Sequence, residues 1–244
     1  MENSSGDIQT STAKLPGKLR AFIFREGAHL SEDEPVYAIN WFNTKSSLIY
    51  DFYNWLAVRS VRKIGGEPFF KGRHVKTLHG SAEDTRDVLL VVRYPALRNF
   101  RTMLESKVFQ MVSLIRMAAV KDFTFGFTKR ADAGPDLVPF DAEADNGFVY
   151  GVLHYSGVAA TETQLAELTA KSSAQIFYNG QIRAHIATGE APEGATQVPC
   201  IMDGITIFKS TDALALEQLL ENPAFQGFTA QADRFFFAVY TRTL

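Results

Sequence analysis

The stretch SKVFQMVSLIRMAAVKDFTFGF at residues 106–127 has an echo at residues 222–240, where the chain reads NPAFQGFTAQADRFFFAVY. Each stretch places a small polar residue before Phe-Gln, then a helical segment, then a strand of aromatic residues. Phe109 and Phe225 are 116 positions apart, whereas Phe123 and Phe235 are 112 apart. The echo therefore predicts a duplicated structural unit whose two copies differ by small insertions.

The segments before the first aromatic strand fit the order β-α-β-β-α-β, the split ferredoxin-like unit. Ser46 or Ser47 can cap the first helix, and Gly65 with Gly66 can end it. The second helical region is expected to break near Ser106, with the serine hydroxyl capping the new turn. The predicted segments are the strand 36–43, the helix 46–66, the hairpin 67–95, the helical region 96–119 and the strand 122–130.

The same order restarts after a segment rich in Asp, Ala, Gly and Pro at 131–147, which we interpret as a linker. The second copy is expected to contain a helix from 162 to about 180, followed by a strand from 182. We predict an α+β fold of two tandem ferredoxin-like units with antiparallel sheets that cover each other as an intramolecular pseudo-dimer. The predicted divisions are an N-terminal arm at 1–35 with an extra strand at 18–27, unit 1 at 36–130, the linker at 131–147 and unit 2 at 148–244.

Composition narrows the classes of function. The chain has 25 basic and 27 acidic residues among 244, for a formal net charge of -2, which argues against binding to nucleic acid or to an anionic membrane. The single cysteine, Cys200, is interpreted as a buried structural thiol, with a nucleophile as the alternative. No apolar run is long enough for a membrane helix, and the polar N-terminus does not have the pattern of a signal peptide. We expect a cytoplasmic protein.

The first half resembles a bacterial family of the dimeric alpha/beta barrel superfamily, the domain of unknown function labelled thirteen-thirty. The resemblance covers roughly residues 36–130. It rests on the helix with Tyr50 and Tyr53, the Gly65-Gly66 stop, Gly80, RYP at 93–95, MLESKVF at 103–109, and Arg116. The second half departs from the pattern, because Asn179-Gly180 replaces the double glycine and no arginine matches Arg116. The resemblance implies a fold, no established chemistry, and a functional site in the first half.

Cofactor and metal sites are not expected. The wider superfamily includes haem proteins of the chlorite dismutase type, which bind haem through a histidine on a helix of the second unit. The corresponding segments here, 162–178 and 212–232, contain no histidine. The five histidines are scattered, and no pair has the spacing of zinc ligands on one helix.

Six residues are candidates for a site. His154, near the end of a strand, and His74 are the candidate general bases, with a structural histidine as the alternative. Arg116 follows an apolar helical segment, where it either binds a substrate carboxylate or pairs with Asp51, Glu105 or a backbone carbonyl. The candidate ligand-binding residues are Trp41, Asn43, Arg116 and Tyr53.

Three functions remain open at this stage. The leading interpretation is a protein that holds a small, partly apolar organic molecule between sheet and helices. The second is a cofactor-independent monooxygenase or isomerase that uses His154 or His74 for proton transfer. The third is an interaction or structural protein whose pockets are filled by its own Phe side chains. Either a monomer or a homodimer is compatible with the sequence.

Overall fold

The computed structural model describes residues 31–81, 84–131, 138–170, 172–188 and 203–243, with the backbone alone for Glu162 and for 183–188. The strand predicted at 18–27, His29, Cys200 and the side chain of His185 lie outside the described part. None of the helices in these ranges is long and apolar enough to span a bilayer.

The described residues of the first half form four strands and three helices. Helix α1 is capped by Ser46, whose hydroxyl oxygen accepts a hydrogen bond from the Ile49 amide at 3.4 Å. The helix ends at a left-handed Gly65, with φ of +75°, whose amide donates to Arg62 while that of Gly66 donates to Val61. The elements are β1 (Val36–Thr44), α1 (Ser47–Lys63), β2 (Glu67–His79), β3 (Val88–Tyr94), α2 (Leu97–Glu105), α3 (Lys107–Ala119) and β4 (Val120–Arg130).

The second half repeats this order with shorter helices. Thr161 and Gln164 form a capping box at the start of α4, and Asn222 caps α6 by accepting from the Ala224 amide at 2.9 Å. The elements are β5 (Val149–Ser156), α4 (Glu162–Thr169), β6 (Gln175–Thr188), β7 (Gly204–Ser210), α5 (Ala213–Leu219), α6 (Pro223–Thr229) and β8 (Arg234–Arg242).

The eight strands close into one antiparallel barrel in the order β1-β3-β2-β8-β5-β7-β6-β4. Two seams join the halves. One pairs β2 with β8, from Gly72 opposite Arg242 to His79 opposite Phe237. The other pairs β4 with β6. The α+β class and the antiparallel arrangement predicted from sequence are confirmed.

Among the described residues, three apolar cores follow from the period-two alternation of the strands. Strand β3 shows the division: Leu89 and Val91 point into the barrel, whereas Val92 and Tyr94 pack on the first-half helices. The barrel interior is filled by aromatic side chains from both halves, among them Tyr37, Trp41, Phe69, Tyr150, Tyr178, Phe236 and Tyr240. The two remaining cores lie between the outer face of each half-sheet and its own helices.

The Phe-Gln echo has a structural cause. In the first half the Gln110 side-chain amide donates back to the carbonyls of Leu104 and Glu105, which end α2. In the second half Gln226 donates to the carbonyl of Leu220, at the same separation of six residues, at 3.1 Å. The glutamine therefore satisfies free carbonyls where one helix ends and the next begins.

Two details of the sequence analysis are wrong. The break at Ser106 is present, but the serine hydroxyl makes no capping hydrogen bond. In the second half the predicted helix stops at Thr169, and Asn179 lies inside β6 rather than at a helix end. The run Ile176, Phe177 and Tyr178 favours a strand, because branched and aromatic side chains pack well on a pleated surface.

Candidate functional site

A cavity of about 1150 Å³ lies between the first-half helices and the outer face of the first-half sheet. We name it the helix–sheet cavity. Its wall is formed by α1 from 51 to 62, α2 from 100 to 104, α3 from 107 to 116, and the strand residues Asn40, Lys71, Leu90, Val92, Tyr94 and Phe125. The volume exceeds the usual 300–1,000 Å³ of ligand pockets only slightly.

The wall is mainly apolar because each element turns one face towards it. Strand β3 contributes Leu90, Val92 and Tyr94, the alternate residues that point away from the barrel interior. Helix α1 contributes Ala57 and Val61, which are one turn apart and buried. An apolar wall of this kind suits a ligand with an apolar body.

Arg116 is the most unusual polar residue of the wall. Its guanidinium carbon lies 4.3 Å from the ring centroid of Phe123, and the described residues offer it neither a hydrogen bond nor an ion pair. Burial lowers the pKa of Arg116, while the neighbouring Tyr53 and Tyr94 raise it. The guanidinium remains charged because arginine does not lose its proton in proteins. The pairing with Asp51, Glu105 or a carbonyl that the sequence left open does not occur.

Tyr53 and Tyr94 stand beside Arg116. Burial raises the pKa of each phenol, whereas the guanidinium of Arg116 lowers it. Both hydroxyls therefore stay protonated at neutral pH and act as donors, and neither has a hydrogen-bond partner among the described residues. Tyr53 was a candidate from the sequence, whereas Tyr94 was not, although its alternation with Leu90 and Val92 on β3 could have indicated it.

The helix–sheet cavity has an excess of positive charge. Asp51 is its one acidic lining residue among those described. Burial lowers the pKa of Lys71, Asp51 raises it and Arg73 lowers it, so this lysine has a carboxylate nearby. Arg59 lies 3.6 Å from the ring centroid of the exposed Trp55 at the outer edge. The basic lining residues are Arg59, Arg62, Lys71, Lys107 and Arg116.

Trp41 was expected in this cavity, but it lies inside the barrel. Its indole N–H donates to the Tyr240 hydroxyl at 3.1 Å, and its ring stacks on His154 with centroids 4.5 Å apart. Trp41 shares its strand face with Tyr37 and Ile39, and that face points into the barrel rather than towards the helices. The barrel interior there is filled.

His154 is also enclosed in the barrel interior, with none of its surface exposed. Neither ring nitrogen has a hydrogen-bond partner among the described residues. Burial lowers the pKa of His154 to about 3, although the nearby Asp84 raises it. The imidazole is therefore neutral at pH 7, and it does not line the helix–sheet cavity.

Asn43 and His74 lie elsewhere as well. The Asn43 amide donates to Asp122 at 2.9 Å and its oxygen accepts from the Asp87 amide at 3.0 Å, so this side chain joins β1 to its neighbours. His74 is half-buried and contacts the Thr77 hydroxyl at 3.0 Å. Burial lowers the pKa of His74, and Asp87 raises it. Of the six candidates, the cavity brings together Arg116 and Tyr53.

Metal ligands do not cluster in the described ranges, where no group of three His, Cys, Asp or Glu side chains has suitable geometry. The polar groups of the helix–sheet cavity are mainly donors, which suit an organic ligand with acceptor atoms better than a cation.

The chain matches no protein family model and no curated protein sequence. Solved structures do match. An anthrone oxidase-like protein is 10% identical, with 88% of this chain and 94% of its own covered at a TM-score of 0.54. A protein of unknown function from Rhodopseudomonas palustris is 19% identical over 46% of this chain and 93% of its own, with a TM-score of 0.42. A chlorite dismutase variant from Candidatus Nitrospira defluvii is 14% identical, with 88% of this chain and 94% of its own covered at a TM-score of 0.44.

At such low identities the comparison shows the fold alone. The match to the anthrone oxidase-like protein extends over 88% of this chain and therefore includes strands from both halves of the barrel. The resemblance of the first half to family thirteen-thirty stays a prediction.

Proposed function

We propose that this dimeric alpha/beta barrel binds a small, partly apolar organic molecule in the helix–sheet cavity. The observation that carries the proposal is Arg116, a charged side chain in an apolar wall to which the described residues offer no acceptor. A partly buried guanidinium without such a partner loses hydration, and a ligand with oxygen atoms would restore the lost hydrogen bonds.

Binding is favoured over the two alternatives. The catalytic alternative assigned proton transfer to His154 or His74, and neither lines the cavity. The alternative of a filled interior fits the barrel, but not the space of about 1150 Å³ behind the helices. A cavity of this size with an arginine in its wall favours a binding protein over a purely structural one.

The finer organisation of the chain is part of the proposal. Each half has the order β-α-β-β-α-α-β, and the strand orders β4-β1-β3-β2 and β8-β5-β7-β6 correspond. We interpret the halves as tandem ferredoxin-like units, the first related to family thirteen-thirty. The asymmetry between them supports a site in the first half, because α1 has 17 residues and α4 has 8. We further propose that the protein is cytoplasmic and that it is a monomer or a homodimer.

The two tryptophans allow a test that reports where a ligand binds. Trp55 lines the cavity and is exposed, whereas Trp41 is buried in the barrel. We expect aromatic acids or quinones to raise the melting temperature and to change the tryptophan fluorescence of the wild-type protein. The fluorescence change should disappear in Trp55→Phe, whose remaining indole is shielded.

Ala57→Phe and Ala118→Phe form a matched pair for the same test. Ala57 is buried in the cavity wall, while Ala118 is exposed on α3 and lies outside it. Filling the cavity at Ala57 should abolish the ligand-induced shift, whereas Ala118→Phe should keep it. The proposal fails if no compound shifts the wild-type protein, or if both variants respond as the wild type does.

A further inference from the structure

We infer that the ligand of the helix–sheet cavity is an organic carboxylate, with its carboxylate group on Arg116 and its apolar body against α1, α2 and β3. The inference rests on the proposed function and specifies the chemical class of the ligand.

Hydrogen-bond donors and acceptors are not balanced around Arg116. The guanidinium carries five N–H donors and no acceptor, and the phenols of Tyr53 and Tyr94 add two O–H donors. The described residues supply no acceptor to any of the three. A ligand that satisfies this group has to bring oxygen acceptors, and a carboxylate matches the planar guanidinium with two parallel hydrogen bonds.

The local charge also favours an anionic ligand. Lys71 has Asp51 nearby, so that lysine is already partly neutralised. Arg116 has two phenols and the Phe123 ring as its neighbours, and no carboxylate among the groups that influence its charge. A negative charge at this position is therefore supplied most effectively by the ligand.

The placement of the basic residues and the apolar wall favour a carboxylate over a phosphate. The three basic residues other than Lys71 and Arg116, which are Arg59, Arg62 and Lys107, are exposed at the outer edge. Arg116 lies against the Phe123 ring, and the wall of the same cavity contains Tyr94, Phe100 and Phe125. A doubly charged phosphate in these apolar surroundings would keep an uncompensated charge, whereas a single carboxylate is matched by one guanidinium. The exposed cations would attract the anion towards the opening.

The test compares carboxylates with their uncharged amides at pH 7 by isothermal titration calorimetry. The probes are benzoate with benzamide, 2-naphthoate with 2-naphthamide, and anthracene-9-carboxylate with its carboxamide. The variants are Arg116→Met, Arg116→Lys and Lys121→Met. Lys121 is exposed on β4 outside the cavity, so its variant controls for the change in net charge.

We expect at least one carboxylate to bind the wild-type protein and Lys121→Met about tenfold or more tightly than its amide, as a charged hydrogen bond predicts. The preference should disappear in Arg116→Met and return in part in Arg116→Lys. Arg116→Met should melt no lower than the wild-type protein, because it replaces an unpaired, partly buried charge with an apolar side chain.

Two negative results have different meanings. If an amide binds as tightly as its carboxylate and changes the Trp55 fluorescence, the cavity binds ligands but the inference is wrong. If no probe binds at millimolar concentration, the proposed function fails, and the inference fails with it. A preference for the carboxylate that survives in Arg116→Met also contradicts the role given to this residue.

Discussion

His154 illustrates how a single residue links packing to pH. The folded protein keeps this imidazole neutral, with a pKa of about 3, whereas an exposed histidine has a pKa of 6.5. Between these values the unfolded chain binds a proton that the folded chain does not. Stability therefore falls as the pH drops from 6.5 towards 3, and the loss at pH 5 is about 2 kcal/mol.

The change His154→Leu should remove this loss and flatten the dependence of stability on pH. Urea denaturation at pH 7 and pH 5 measures it, with the exposed His79→Gln as the control. His74 contributes in the same direction, because burial also lowers its pKa, so the informative quantity is the difference between variants. An equal loss in the wild-type protein and in His154→Leu would refute the explanation.

Residue types indicated the site only in part. Arg116 stood out because a charged residue in an apolar helical segment requires a partner, and the cavity contains it. Trp41 was predicted to line a site between sheet and helices, but it lies on the other side of the sheet, inside the barrel. Alternation shows which residues share a face, and it does not show whether helices or the second half cover that face.

At the scale of elements, α1 shows the same limit. The helix predicted at 46–66 is present, yet Leu48, Ile49, Phe52 and Trp55, apolar residues at helical spacing, are all exposed. The buried stripe consists of Tyr50, Ala57 and Val61, which also have helical spacing. When two stripes satisfy the same period, the sequence predicts a helix without showing which stripe meets the sheet.

Asp145 connects the segment between the halves to three strands. Its carboxylate accepts from Arg242 of β8 at 3.0 Å, from Lys209 of β7 at 3.2 Å and from the Tyr150 hydroxyl of β5. Burial opposes the charge of Asp145, but these bonds outweigh it and lower its pKa. The stabilisation from Asp145 is therefore present above pH 3.8 and is lost only as the pH falls below that value, outside the interval from pH 7 to pH 5 that tests His154.

Asp145→Ala should destabilise the protein by about 3 kcal/mol, because it removes a carboxylate that pairs with the buried Arg242 guanidinium. The matched control is Glu217→Gln, which removes the exposed pair of Lys76 and Glu217 at 2.8 Å between β2 and α5. That change should cost less than about 0.5 kcal/mol. Equal losses in urea denaturation would mean that the buried network contributes no more than a surface pair.

At the scale of the whole molecule, the barrel depends on both halves. Residues 31–131 alone would expose the edges of β2 and β4 together with interior side chains such as Tyr37, Ile39 and Leu89. We expect this fragment to form oligomers. Light scattering after size-exclusion chromatography would detect them, with the full chain measured at the same concentrations for comparison. A stable monomeric fragment would show that the seams are dispensable.

The echo between 106–127 and 222–240 predicted a duplication, and the order of the segments predicted an antiparallel α+β architecture. In the barrel, β4 and β8 occupy corresponding positions in the strand order. The sequence did not predict that β2 pairs with β8 and β4 with β6 to close the barrel. Pairing between distant strands depends on the shape and twist of both sheets, and no local pattern of residues encodes it.

The seam between β2 and β8 has a consequence for synthesis on the ribosome. Strand β2 ends at His79, but its partner begins only at Arg234. At a translation rate of 5–20 residues per second, the β2 edge waits roughly 10 to 30 s for that partner to be made. During this interval the nascent chain carries an open strand edge, and a chaperone that shields it would raise the yield of folded protein.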